Sequence, residues 1–215
     1  MTSPGLTELT ARPDDSGIDT AVGAVRRLAA ALLAAGGRVD LDLDDLARRL
    51  TAMAGEVEEL APELADRMVD MWSGEGVTRH DPVTGPENAI APPLVLSAEP
   101  DSPDGAVSGT VNLGISYQGP PGCVHGGISA LLLDHTLGVA NAHAGTSGMT
   151  GTLTLRYERP VPLHTDLVVR GWQERVEGRK IWSHGTITSG DEVLVRAEGL
   201  FIDKHVERPR RGPSQ

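Results

Sequence analysis

The residues best suited to chemistry lie between positions 122 and 138 of the 215-residue sequence. His125 is followed by Gly126 and Gly127, and then by an apolar run that contains one carboxylate, Asp134. At a helix start the backbone N–H groups lack intrahelical acceptors, and glycines let a ligand oxygen approach those donors closely. An ionised aspartate is costly to bury, so Asp134 is a candidate functional residue as well as a candidate structural hydrogen-bonder. An oxyanion site beside a carboxylate is the minimum requirement for acyl-transfer hydrolysis.

The elements around this segment predict an α+β fold. Apolar residues from Ile128 to Ala140 fall on every side of a helix, which is typical of a buried helix. Strand-like segments bounded by turn residues precede and follow it. Two strands, the helix and four more strands predict an antiparallel sheet packed on one helix. The predicted strands are 94–98, 106–116, 150–158, 166–174, 180–188 and 192–201.

The first 80 residues have a different pattern. Residues 1–17 lack periodicity and predict a disordered tail, and Ile18–Leu33 predicts a helix that Asp19 or Thr20 could cap. A second helical pattern has heptad spacing and is interrupted by Pro62, and it predicts either a helical hairpin packed on the main domain, which we favour, or an oligomerisation element or lid. Its apolar residues are Leu43, Leu46, Leu50, Met53, Val57, Leu60 and Leu64. After a Gly/Pro-rich connector at 73–93, we expect a helical extension at 18–80, a main domain at 81–203 and a basic disordered tail at 204–215.

Composition excludes several classes of function. A formal charge of −11 argues against nucleic acid as a partner. The single cysteine, Cys123, excludes an intramolecular disulfide. No apolar run reaches the length of a membrane span, and the N-terminus shows no export signal. We therefore expect a cytoplasmic protein that needs no metal or redox cofactor and binds no membrane.

Two segments together carry a resemblance to a known family. The run Gly119-Pro-Pro-Gly-Cys-Val-His-Gly-Gly127, followed by Ile-Ser-Ala-Leu-Leu-Leu-Asp134, resembles hotdog-fold acyl-CoA thioesterases of the phenylacetate-degradation (PaaI-like) and 4-hydroxybenzoyl-CoA thioesterase type. The interval from His125 to Asp134 is the family's spacing, and Thr150–Leu163 resembles its next strand and turn. The resemblance covers about residues 91–203 and implies a sheet wrapped around one central helix.

The resemblance also implies roles for individual residues. Asp134 would be general base or nucleophile, and Gly126 would be the oxyanion donor. His125 would hold the loop, and Thr150 matches a hydroxyl near the attacking water, although an ordinary strand threonine is an equal alternative. We expect an acyl-CoA substrate and a homo-oligomer, a dimer or tetramer, in which helix and glycine loop from different subunits face one cleft.

The substrate-binding expectations rest on neighbouring positions. Gly127 would border the substrate, and Gln118 could replace an asparagine that many relatives carry where this chain has Gly119. Cationic side chains on the later strands could meet the coenzyme A phosphates, although none can be assigned individually. These are Arg156, Arg159, Arg170, Arg175, Arg179 and Lys180.

Other chemistries fit the sequence less well. Cys123 lies too close in sequence to His125 for an aligned nucleophile and base. A metal site would need His135 and His143, which are two helical turns apart, and His135 points about 100° away from Asp134. A non-catalytic acyl-thioester-binding protein remains the main alternative. A hotdog hydratase or dehydratase is favoured less, because its usual acid-and-histidine motif is not found.

Overall fold

The computed structural model describes residues 7–63, 79–92, 94–100, 102 and 105–203. Six strands and three α-helices make up this part of the chain. The helices are α1 (Gly17–Ala35), α2 (Leu43–Glu58) and α3 (Gly126–His143), with a short 3-10 helix at Ile115–Tyr117. The strands are β1 (Ser97–Ala98), β2 (Val107–Asn112), β3 (Gly148–Tyr157), β4 (Asp166–Glu177), β5 (Lys180–Ser189) and β6 (Glu192–Asp203).

One antiparallel sheet surrounds the central helix. The strand order is β1-β2-β4-β5-β6-β3, and α3 contacts strands β2 to β6. Side chains of α3 such as Leu132, Leu133 and Leu137 are fully buried in the core. The predicted α+β hotdog fold, with two strands before the helix and four after it, is confirmed.

Two glycines on the inner face of the sheet allow α3 to approach closely. A Cβ atom on Gly171 would lie 3.0 Å from Thr136 Cγ2, and one on Gly185 would lie 3.0 Å from Leu133 Cδ2. These two glycines face each other across β4 and β5. Larger residues there would push the helix outward and displace the side chains that it presents.

Strand β3 forms an open edge of the sheet. It pairs with β6 on one side only and is mostly exposed, with Met149 64% and Tyr157 52% accessible. An exposed edge of this length presents unpaired backbone groups that readily pair with another strand. The register with β6 shifts between Thr150 and Thr152, which indicates a bulge at Gly151.

The N-terminal segment departs from the prediction of a disordered tail. From residue 7 the chain pairs with the opposite edge of the sheet: the Leu9 N–H donates to the Leu96 carbonyl, and the Thr10 hydroxyl accepts the Leu96 N–H, both at 2.8 Å. Thr10 and Ala11 are buried. The prediction is therefore wrong for residues 7–11, because backbone pairing fixes a segment whose composition alone indicated disorder.

Helix α1 is fixed to the main domain through a buried ion pair. It is capped by Ser16 rather than by Asp19 or Thr20, and Gly36 ends it with a φ of 57°. The Asp19 carboxylate is buried instead and lies 2.7 Å from Arg79. Arg79 also binds Glu87, so α1 holds the connector that runs into the domain. That connector is packed rather than loose, since Val83, Thr84 and Ala91 are buried.

Helix α2 buries none of its side chains. Met53 and Val57 are 61% and 69% exposed, whereas Leu46 and Leu50 are half-buried. The helical hairpin packed on the main domain, which we favoured, therefore stays a prediction for α2. Leu64 and the basic tail at 204–215 lie outside the described residues. None of the described helices is long and apolar enough to cross a membrane.

Candidate active site

The start of α3 is capped by the preceding histidine. His125 has extended backbone angles (φ −62°, ψ 134°), and its Nδ1 accepts the Gly127 N–H at 3.0 Å. An accepting Nδ1 requires that a neutral ring carry its proton on Nε2. His125 therefore fixes the glycine turn.

A second contact fixes the peptide between the two glycines. The Tyr157 hydroxyl donates to the Gly126 carbonyl at 2.8 Å, while the N–H of the same peptide, from Gly127, binds His125. The peptide is therefore held at both ends. The Gly126 N–H, by contrast, has no acceptor among the described residues. The turn thus leaves Gly126 as a free amide donor at a helix N-terminus, whereas the Gly127 amide is already used.

The carboxylate expected to act on a substrate is oriented by strand β3. Thr150 Oγ1 donates to Asp134 Oδ1 at 2.9 Å. Asp134 is half-buried and Thr150 is exposed, so the pair faces outward beside the open sheet edge. The bulge at Gly151 breaks the regular alternation of β3 and helps to aim the threonine at the helix.

The loop before α3 is braced by short contacts. Gln118 Oε1 accepts the Gly122 N–H at 3.0 Å, so this side chain holds the loop. At Gly119, a Cβ atom would lie only 2.7 Å from the Cα of His125. A larger residue such as asparagine does not fit this backbone, which accounts for the departure from the family pattern. Cys123 is half-buried, and its backbone pairs with that of Gly119.

His135 lies on another side of α3. Its ring nitrogens lie 3.5 Å from the Asp81 carboxylate and 3.3 Å from the Thr84 hydroxyl, so it anchors the connector to the central helix. Burial lowers the pKa of the His135 imidazole below its ordinary value, while the nearby Asp81 and Asp134 carboxylates oppose that shift. The residue therefore acts in the fold and does not contact Thr150.

Two contacts near the site were not predicted from the sequence. Nothing in a strand tyrosine such as Tyr157 indicates that its hydroxyl reaches a distant loop carbonyl. The link between His135 and Asp81 joins a helix to a connector that composition indicated to be loose. Within the part of the chain that the structure describes, no group of three His, Cys, Asp or Glu side chains is placed to hold a metal ion.

Gly126 and Asp134 of one chain are too far apart to act on one carbonyl group. Eight residues of helix separate them, which corresponds to about 12 Å of axial rise. A base or nucleophile and an oxyanion donor must both lie roughly 3 Å from the reacting group. These two groups therefore cannot act on one carbonyl group within a single chain.

Comparisons with known proteins cover both parts of the chain. Residues 121–196 match the family model described as the thioesterase superfamily. Residues 9–66 match a model described as the N-terminal helical domain of hypothetical protein RHA1_ro05818. The helical segment and the main domain thus match two separate family models.

Curated relatives match less than half of the chain. Acyl-coenzyme A thioesterase THEM4 of Mus musculus is 39% identical over 98 residues, which are 45% of this chain and 42% of the mouse protein. The Xenopus laevis THEM4 is 36% identical over 87 residues, which are 40% of this chain and 39% of the frog protein. The chain therefore spans about two fifths of the length of these relatives.

A solved structure matches nearly the whole chain. The crystal structure of protein RHA08564, a thioesterase superfamily protein, has 55% sequence identity and a TM-score of 0.83, and the match covers 94% of this chain and 98% of that one. Because a relative this similar is matched over almost its full length, the chain belongs to the thioesterase superfamily.

Proposed function

We propose that this protein is an acyl-CoA thioesterase that hydrolyses a thioester to a carboxylic acid and free coenzyme A. The observation that carries the proposal is the free Gly126 amide at the capped start of α3, found in the same fold as the oriented Asp134 carboxylate. The curated relatives are named acyl-coenzyme A thioesterases, and this supports the choice of substrate class.

The chemistry follows from these two groups. As a general base, Asp134 would take a proton from water while the water oxygen bonds to the thioester carbon. The carbonyl oxygen becomes an oxyanion, which the Gly126 N–H would stabilise. Collapse of the tetrahedral intermediate breaks the C–S bond, and the departing thiolate takes up the proton from Asp134. As a nucleophile, Asp134 would instead form a mixed anhydride and release the thiolate, and water would then hydrolyse the anhydride.

The separation along α3 supports a site that two subunits share. In a homodimer, Asp134 of one protomer and Gly126 of its partner would act on the same thioester. The open edge of β3 supports this arrangement, because it carries Thr150 beside Asp134 and ends at Tyr157 beside Gly126. Pairing of β3 with its symmetry copy would bring both ends together and generate two equivalent sites.

Two cations remain available for the phosphates of coenzyme A. Four of the six candidates on the later strands are engaged by acidic side chains or, for Arg179, by the Asp203 carbonyl. Arg156 and Lys180 form no ion pair among the described residues and are exposed. Local contacts of this kind would offset the unfavourable net charge of −11.

The experiment that tests the proposal is thiol release from acetyl-, decanoyl-, palmitoyl- and phenylacetyl-CoA. The native protein and Asp134→Asn are compared, because asparagine keeps a side-chain oxygen that can accept the bond from Thr150. Asp81→Asn is the control, because it replaces a carboxylate that contacts His135 rather than Thr150.

A loss of about a hundredfold or more in Asp134→Asn alone, with an unchanged circular dichroism spectrum, is expected. If the native protein binds these esters and hydrolyses none of them, the proposal fails. A non-catalytic acyl-thioester-binding role then takes its place.

A further inference from the structure

A cavity of about 530 Å³ lies between α1 and the segment that leads into α3. Its size falls within the range of small-molecule sites, and its walls are largely apolar. Arg26 and Arg27 supply its two cationic side chains, and the apolar and aromatic lining comes from Ala29, Ala30, Leu33, Ile90, Tyr117 and Ile128.

The cavity adjoins the free amide at the start of α3. Ile128, which lines it, follows Gly126 by two residues in the first turn of the helix. Tyr117, on the same wall, accepts the His125 N–H through its carbonyl at 2.9 Å. An acyl group that leaves the Gly126 amide on the Ile128 side of α3 would enter this space.

The connector wall of the cavity is held in place by hydrogen bonds. The Arg26 Nη2 donates to three main-chain carbonyls, those of Gly85, Pro86 and Asn88, at 3.2, 2.9 and 2.6 Å. The Tyr117 hydroxyl lies 3.4 Å from the Ile90 carbonyl. A cavity whose wall is fixed in this way can discriminate between ligands by size.

One stripe of α1 forms the facing wall. Arg26, Ala29, Ala30 and Leu33 follow the spacing i, i+3, i+4 and i+7, so all four lie on one side of the helix. The two central positions are alanines, which leave the middle of the cavity open. This helix belongs to the N-terminal extension and lies outside the residues that match the thioesterase superfamily model.

We infer that this cavity binds the hydrocarbon part of the acyl group, and that Ala29 and Ala30 of α1 set the longest chain accepted. The inference rests on the proposed thioesterase function and adds the substrate class, an apolar acyl chain rather than acetyl alone. The N-terminal helical extension thereby becomes a specificity element. Arg26 of the same helix holds the opposite wall.

The test replaces Ala30 by leucine, which fills the cavity and leaves helix propensity almost unchanged. Ala31→Leu is the matched control, because Ala31 is exposed on the same helix and does not line the cavity. kcat/KM is measured with acetyl-, hexanoyl-, decanoyl- and palmitoyl-CoA. Binding of decanoyl-CoA to Asp134→Asn, with and without Ala30→Leu, is measured by calorimetry.

Ala30→Leu is expected to lower kcat/KM for the longest accepted chain about tenfold or more relative to its effect on acetyl-CoA. Equal effects of Ala30→Leu and Ala31→Leu on all chain lengths would overturn the inference. If no thioester is hydrolysed, the proposed function fails, and the calorimetry still decides: weaker decanoyl-CoA binding with Ala30→Leu supports the cavity, and unchanged binding refutes it.

Discussion

Replacing Gly126 by proline removes one N–H group from the proposed site and little else. Proline is favoured at the first position of a helix, where the N–H has no intrahelical acceptor. The residue before a proline must be extended, and His125 already has a φ of −62° and a ψ of 134°. The Gly126 amide donates to no acceptor among the described residues, so the substitution breaks no internal hydrogen bond there.

The expected loss follows from the role of a single oxyanion donor. Removing such a donor typically lowers kcat about 10²–10³-fold, or about 2.7–4 kcal/mol. A Cβ at this position would lie 3.2 Å from the Tyr157 hydroxyl, so a small local shift is also expected. Gly126→Ala introduces the same Cβ and keeps the N–H, so it controls for the added Cβ, while the ring carbon that replaces the amide hydrogen is particular to proline.

Thiol release with a fixed acyl-CoA gives kcat for both variants, and thermal unfolding checks that both are folded. We expect Gly126→Ala to retain most of the activity and Gly126→Pro to lose about a hundredfold or more. Equal kcat values for the two folded variants would refute the role of the Gly126 amide. Catalysis would then not depend on an oxyanion donor at this position.

Three further predictions concern two groups that orient the site and one that anchors the connector to the central helix. Thr150→Val removes the donor to Asp134 and should lower kcat about tenfold, since a charge-assisted bond that is partly exposed contributes roughly 1–2 kcal/mol. Thr154→Val on the same strand is the control and should have no effect. Equal losses of kcat in the two variants would contradict this role of Thr150. Tyr157→Phe frees the carbonyl at the helix start and should lower kcat a fewfold with little change in KM, so a change in KM alone would show that the hydroxyl contacts substrate instead. Burial lowers the pKa of His135, so the unfolded chain binds that proton first as the pH falls through about 6.5, and the free energy of unfolding should decrease towards pH 5. Urea titrations above about pH 6.5 and at pH 5 measure this decrease in the free energy of unfolding. His135→Gln should make the decrease smaller, and an unchanged decrease would show that other groups cause it.

The central helix and the succession of strands along the chain followed from periodicity, because a buried helix and half-buried strands leave their burial pattern in the sequence. The glycine turn was likewise predictable as a helix start. Its cap was harder to predict, since the acceptor is the ring nitrogen of His125 rather than a serine or aspartate oxygen. The hydrogen bond from the Tyr157 hydroxyl to the Gly126 carbonyl joins positions 31 residues apart, and no local sequence pattern indicates such a contact.

The N-terminal region was predicted least well, for a physical reason. Residues 7–11 have the composition of a tail, yet their backbone groups satisfy the free edge of β1. The connector was predicted to be a loop, and its fixed shape depends on side chains from other elements, Arg26 and His135. Tertiary contacts of this kind depend on the complete fold and cannot be derived from the segment's own sequence.

A mixed dimer tests the central claim most directly, namely that Asp134 of one subunit and Gly126 of the other act on the same thioester. Asp134→Asn and Gly126→Pro chains, carrying different affinity tags, would be co-expressed and the hetero-oligomer purified. Each heterodimer then contains one site with both groups intact and one site with both replaced. We expect such heterodimers to recover roughly half of the native activity per dimer, while either parent alone stays nearly inactive. A heterodimer as inactive as its parents would contradict the shared site.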